Sequence, residues 1–340
     1  MKVPKRWIPW IGAVGATFLA AYLGLQWMLR PLSASSQPQP IHLVVIPDGA
    51  TFRQVATMLE REHLIRNRWP FELLGRLTWS DRRIPAGEYA LHAGMSSWEI
   101  LSDIIQGRIV HHSVTIPEGS TAAEIANLLE QKGLSDPQKF LRLVHDRDFI
   151  RTLALDVPSL EGYLFPDTYQ FARTVKPEEI IKTLMTELWQ AFTPDLRSRA
   201  QEMNMSVNQV LTLASVIEKE TSVEEERELV SAVFHNRLRR NIPLQSDPTV
   251  IYALNGFDGN LKKRDLSVAS PYNTYRVKGL PPGPIANPGA SSIRAALYPA
   301  ASPYLYFVSR NNGTHEFSST LAAHNRAVEK YQRRPGRRHS

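Results

Sequence analysis

Between Trp7 and Met28 the chain reads WIPWIGAVGATFLAAYLGLQWM, 22 residues without a charge. This run constrains the fold more than any other feature, because about 20 apolar residues cross a hydrocarbon core of about 30 Å as one helix. Trp7, Trp10 and Trp27 mark its ends, where amphipathic rings settle at a membrane interface. Lys2, Lys5 and Arg6 precede it and only Arg30 follows closely. The positive-inside bias therefore predicts residues 1–6 in the cytoplasm, a transmembrane helix over 7–28, and the body outside, in the periplasm, on a single-pass inner-membrane anchor. The competing reading is a cleaved leader. The run is long for a leader's apolar region, and Ser33 to Ser35 is a mediocre cleavage site.

Residues 29–40 contain PLSASSQPQP, the composition of a linker. No second apolar span follows. The net charge is +7, but the basic residues are split between the two ends and otherwise mixed with acids, so no nucleic-acid partner is expected. The tail 333–340, with RRPGRRHS at its end, reads as solvated. With no cysteine, disulfides and Cys-based zinc sites are excluded.

An internal repeat divides the rest. VVIPDGATFRQVATMLEREHLI from Val44 aligns with VTIPEGSTAAEIANLLEQKGLS from Val114, pairing Pro47 with Pro117, Gly49 with Gly119 and Thr51 with Thr121. Each copy reads as a short strand, a Pro-acid-Gly turn and a Thr-capped amphipathic helix. The first copy opens a small α+β module over 41–112. The second opens a larger α+β domain over 113–332, helical to about Asn241 and then rich in Pro, Gly, Asn and Tyr. The stretch from Ser270 to Leu297 is rich in breakers up to a helix start at Ala290; so long a loop is functional or disordered, its tyrosines and prolines argue against disorder, and rigid aromatic loops suit carbohydrate.

The candidate chemistry is carboxylic. In LTLASVIEKET, Val207, Val210, Leu211, Ala214 and Ile217 share one side of a helix, and Glu218 projects onto that same side while Lys219 and Glu220 point elsewhere. A carboxyl set against apolar neighbours favours its protonated form and suits a general acid; an ion pair with Arg237 or Lys219 is the structural alternative. Glu224 to Glu228 reads as a solvated run. Asp247, in LQSDPTV, either meets substrate or caps a helix whose first residue is Pro248. Glu161 and Asp167, in LEGYLFPDTYQF, line a groove or plug the core. No nucleophile elbow, zinc motif or spaced histidine cluster is present, so neither metal nor cofactor is expected; His315 and His324 read as lone structural histidines.

The ordered motifs LEGYLFPDTY (Leu160–Tyr169), ASVIEKET (Ala214–Thr221), LQSDPTVIYAL (Leu244–Leu254), SPYNTYRVKGLPPGPIANPG (Ser270–Gly289), YLYFV (Tyr304–Val308) and HN (His324–Asn325) resemble those of the endolytic murein transglycosylase (MltG, YceG-like) family. The resemblance implies a LysM-like module over 41–112 and a catalytic domain over 113–332. It implies a lytic transglycosylase that cuts MurNAc-β-1,4-GlcNAc bonds inside peptidoglycan strands and leaves 1,6-anhydroMurNAc ends, terminating strand elongation beside peptidoglycan synthases. The catalytic glutamate of the EKET motif is assigned to Glu218. Glu161, Gln245, Asp247, Tyr272, Asn273 and Thr274 are assigned to substrate binding. A non-catalytic wall-binding tether and a hydrolytic muramidase are the alternatives.

Overall fold

A computed structural model describes residues 8–33, 39–80, 84–254 and 256–333, with the side chains of the first helix described from residue 16. Residues 1–7, part of the linker and the basic tail from 334 lie outside the described residues. In chain order the elements are α1 (Ile8–Leu29), β1 (His42–Ile46), α2 (Phe52–Arg61), α3 (Arg68–Leu77), β2 (Gly87–Leu91), α4 (Ser97–Ile105), β3 (His111–Thr115), α5 (Ala122–Gln131), α6 (Pro137–His145), α7 (Arg147–Thr152), β4 (Thr168–Ala172), α8 (Pro177–Ala191), α9 (Pro194–Glu202), α10 (Val207–Glu220), α11 (Glu224–Arg239), α12 (Asp247–Ala253), α13 (Ala290–Leu297), β5 (Tyr306–Ser309), β6 (His315–Ser318) and α14 (Leu321–Val328). The fold is mixed α+β, with the strands in two-stranded sheets β1–β2, β3–β4 and β5–β6.

From Ile8 to Met28 the uncharged run lies in one helix, α1. Among the described residues no helix is long and apolar enough to cross a membrane, and the side chains of the first third of α1 lie outside them.

The chain divides into two compact units, Met1–His112 with Gln170–Val175, and Ser113–Tyr169 with Lys176–Ser340. In the first, β1 and β2 pair antiparallel, His42 opposite Leu91 and Ile46 opposite Gly87. Val44 and Ile46 face inward while Leu43 and Val45 face out, the alternation a half-buried strand requires. They pack with Val55 and Leu59 of α2, Phe71 of α3, and Ile100, Leu101 and Ile104 of α4. α2 and α4 begin in capping boxes, Thr51 with Gln54 and Ser96 with Glu99.

The second unit repeats the local device. Thr121 and Glu124 form the capping box of α5, and Gly49 and Gly119 take the same left-handed turn, at φ 75° and 74°. This unit is built around α10, whose residues from Val210 to Ile217 are all buried and which packs most closely on α13. The loop before α13 differs from the open carbohydrate platform suggested by its composition. Its second half, from Pro281 to Gly289, is largely buried. Ile285 N–H donates to Ser215 Oγ at 3.0 Å. Asn287 Oδ1 accepts Leu164 N–H at 2.8 Å, while its Nδ2 donates to Ser120 O and Glu161 Oε1, both at 2.9 Å. This half of the loop is core, made polar because it must satisfy neighbouring backbone groups.

Candidate active site

α10 ends with two glutamates that point in different directions, because positions i and i+2 lie about 200° apart on a helix. Glu218 meets the start of α13. Its Oε2 accepts Gly289 N–H at 2.9 Å, and its Oε1 lies 3.4 Å from Arg227 Nη2. Gly289 is the N-cap of α13 and has no side-chain cap of its own, so Glu218 supplies the negative charge that a helix N-terminus favours. Arg227 is 8% exposed and also faces Glu118 and Glu224. A Cβ on Gly289 would fall 1.9 Å from Glu118 Oε1, so this glycine makes room for the cluster. The apolar setting that the helix pattern suggested for Glu218 is therefore a polar one, and its ion-pair partner is Arg227 rather than Arg237 or Lys219. Lys219 Nζ instead donates to Gly119 O.

Glu220 faces the other way, into a cavity of about 470 Å³ that it lines with Arg237, Gln245, Asp247, Tyr275, His315 and His324. Ser246 Oγ donates to Glu220 Oε1 at 2.5 Å. Burial first, then the Asp247 carboxylate, push the Glu220 carboxyl up to about 7, against the opposing pull of Ser246 and Arg237. A carboxyl poised there is half protonated near neutrality, the condition for giving and taking a proton in one cycle. Tyr275 OH donates to Asp247 Oδ1 at 2.6 Å. The Arg237 guanidinium is occupied by the backbone: Nε donates to Leu305 O at 2.7 Å and Nη1 to Leu244 O at 2.8 Å.

Of the expected site residues, Gln245 and Asp247 come together in this cavity, and Gln245 adopts φ 53°, a strained conformation of the kind found at functional sites. Asp247 opens α12 but does not cap it, since the N-cap is Ser246. The others are placed elsewhere. Asn273 and Thr274 are buried, at 0% and 1% exposure, which corrects the expectation that they touch sugar. Asn273 Nδ2 holds Leu266 O and Val268 O, and Thr274 Oγ1 accepts Ser246 N–H at 3.0 Å, which steadies the residue that reaches Glu220. Glu161 is likewise buried, accepting Ala122 N–H at 3.0 Å at the start of α5, and burial raises its carboxyl to about 7. Tyr272 packs on Tyr252, with ring centroids 5.0 Å apart, and it is Tyr275 that meets Asp247.

Sequence reasoning missed Glu220, Tyr275, His315 and His324. His315 is not alone: its ring Nδ1 and backbone N–H both engage Glu226, at 2.7 and 2.9 Å. Glu226 and Arg227 thus turn inward from a run that looked fully solvated. The signal available for Glu220 was its position at the helix end, where a side chain leaves the packed face for whatever cavity adjoins it. Among the described residues, no group of three or more His, Asp or Glu is arranged to hold a metal ion.

Residues 44–330 match the model of the YceG-like family. The chain is 34% identical over 327 residues to the endolytic murein transglycosylase of Bacillus subtilis (strain 168), covering 92% of this chain and 90% of that one. It is 30% identical over 346 residues to the endolytic murein transglycosylase of Streptococcus pneumoniae serotype 2 (strain D39), covering 91% of this chain and 62% of that longer one. A crystal structure of a yceG-like protein from Listeria monocytogenes superposes with a TM-score of 0.59 at 34% identity, over 84% of this chain and 98% of that one. With a family model spanning most of its length and a relative matched nearly end to end, the chain belongs to the YceG-like family.

Proposed function

We propose that this chain is a lytic transglycosylase that cleaves peptidoglycan strands internally, with Glu220 rather than Glu218 as its general acid and base. The observation that carries the assignment is the setting of Glu220: it lines the polar cavity, and its carboxyl is raised to about 7. Glu218 is engaged by Gly289 and Arg227 and is not among the residues lining that cavity. The names of the relatives support the substrate class.

In this reading the MurNAc-β-1,4-GlcNAc bond lies across the cavity. Protonated Glu220 gives its proton to the bridging oxygen as the bond from that oxygen to MurNAc C1 breaks. The MurNAc C6 hydroxyl attacks C1 and surrenders its proton to Glu220, closing a 1,6-anhydro ring and restoring the acid. No water is consumed. The tethered hydroxyl replaces the second, separately positioned nucleophile of a hydrolase, and such tethering lowers the barrier substantially. Gln245 and Asp247 orient the strand.

The same proposal places the body outside the cytoplasm on the helix α1, uses residues 41–112 as a LysM-like wall contact, and has the enzyme end nascent strands beside the synthases. Asp247 gives the cavity a second carboxylate, the feature a hydrolytic muramidase would need. Mass spectrometry of digested strands separates the readings. Anhydro ends that vanish in Glu220→Gln support the proposal. Reducing ends indicate the muramidase, and absence of any product from the folded wild-type protein indicates a tether.

A further inference from the structure

His324, on α14, lines the same cavity as Glu220. Its ring stacks on Tyr306, centroids 5.1 Å apart and planes 22° from parallel, and the Arg237 guanidinium lies 5.1 Å from the centre of the same tyrosine ring. The stack fixes the plane of the imidazole. Its Nδ1 is buried and has no hydrogen-bond partner. The other nitrogen, Nε2, is left to face the cavity.

That geometry decides where the ring's proton sits. A buried N–H without an acceptor is costlier than a buried lone pair without a donor. The proton therefore belongs on Nε2, where the cavity supplies a partner. Charging the ring would place a second N–H at Nδ1 with nothing to receive it, close to Arg237; burial and then Arg237 accordingly lower the imidazole's affinity for a proton. His324 is a neutral residue that presents one hydrogen-bond donor to the cavity.

Other donors line it too, among them the amides of Gln245 and Gln332, but several are engaged within the protein. Arg237 Nε and Nη1 serve backbone carbonyls, Tyr275 OH serves Asp247, and His315 Nδ1 serves Glu226. The carboxyls of Glu220 and Asp247 can receive sugar hydroxyls, which both donate and accept. An acetamido carbonyl only accepts, so it needs a donor. We propose that His324 Nε2–H donates to the acetamido carbonyl oxygen of an amino sugar in the cavity, and so makes the enzyme select N-acetylated strands. This rests on the reading of the cavity as the glycan site.

The test compares fully N-acetylated glycan strands with the same strands chemically N-deacetylated, using the full-length protein. Affinity and rate of cleavage are measured for wild type, His324→Phe and His324→Gln. Phenylalanine keeps a ring on Tyr306 but has no donor; glutamine restores a donor without the ring. We expect His324→Phe to lose about 5- to 100-fold on acetylated strands and little on deacetylated ones, in KM more than in kcat, with His324→Gln recovering part of the loss. An unchanged ratio between the two substrates in His324→Phe, whether both fall together or neither falls, overturns the proposal. If the folded wild-type protein neither binds nor cleaves either strand, the glycan reading of the cavity fails as well, a result distinct from retained selectivity.

Discussion

At the scale of single residues, two glutamates two positions apart are given opposite tasks by their surroundings. Loss of general acid–base catalysis costs about 10² to 10⁴ in rate. Glu220→Gln should lose at least that much anhydro product, because one carboxyl serves both half-reactions. Glu218→Gln should keep more activity but melt lower, since the buried Arg227 loses a countercharge, a cost of about 1–3 kcal/mol. Near-normal product from a folded Glu220→Gln protein would return Glu220 to a structural role. The pH dependence follows from the same group. Glu220 must begin protonated, so turnover should fall as pH rises through about 7. Stability has a definite sign too. The carboxyl holds its proton up to about pH 7 when folded but only to about 4.5 when unfolded, so between those values the folded chain binds more protons and loses stability as pH rises. Glu220→Gln removes that loss. Its melting temperature relative to wild type should rise between pH 4.5 and 7 and stay level above; a difference independent of pH would contradict the raised carboxyl.

At the scale of elements, the site depends on how α10, α13 and the loop between Ser270 and Gly289 are locked together. Gly162 shows the tolerance. It sits at φ 85°, and a Cβ there would lie 2.3 Å from the ring of Pro284, which cannot bend away. Gly162→Ala combines left-handed strain with a clash and should cost about 2 kcal/mol or more. Gly279, at φ 91° with nothing within 4 Å of its Cβ position, meets only the backbone penalty, so Gly279→Ala should cost about 1–2 kcal/mol. Chemical denaturation of both variants measures the difference. Equal costs would mean that the loop yields at Pro284 and is not packed as tightly as the hydrogen bonds of Asn287 and Ser215 indicate.

At the scale of the whole molecule, the proposed anchor carries a prediction of topology. The charges around α1 argue for an outside location. A reporter that functions only outside the cytoplasm, fused after Ser340, should be active. Activity confined to a cytoplasm-specific reporter in the same position would remove peptidoglycan as the substrate along with the anchor.

Local physics was enough to read several features in the sequence alone. The Thr-capped helices of the repeat and the Pro-acid-Gly turns at Gly49 and Gly119 follow from capping and backbone sterics settled within a few neighbouring residues, whereas α10, expected to bury one side, is buried all round from Val210 to Ile217. The motifs were likewise enough to point to the family. The assignment of the acid was not local. Helical projection shows on which side Glu218 and Glu220 leave α10, but it does not show what waits on each side. Only the tertiary structure brings Gly289 and Arg227, some 71 and 9 residues away, to Glu218, and Ser246, Asp247 and Arg237 to Glu220. A carboxyl's readiness to hold a proton depends on burial and on charges within a few ångströms, and those neighbours are set by chain segments far apart in sequence.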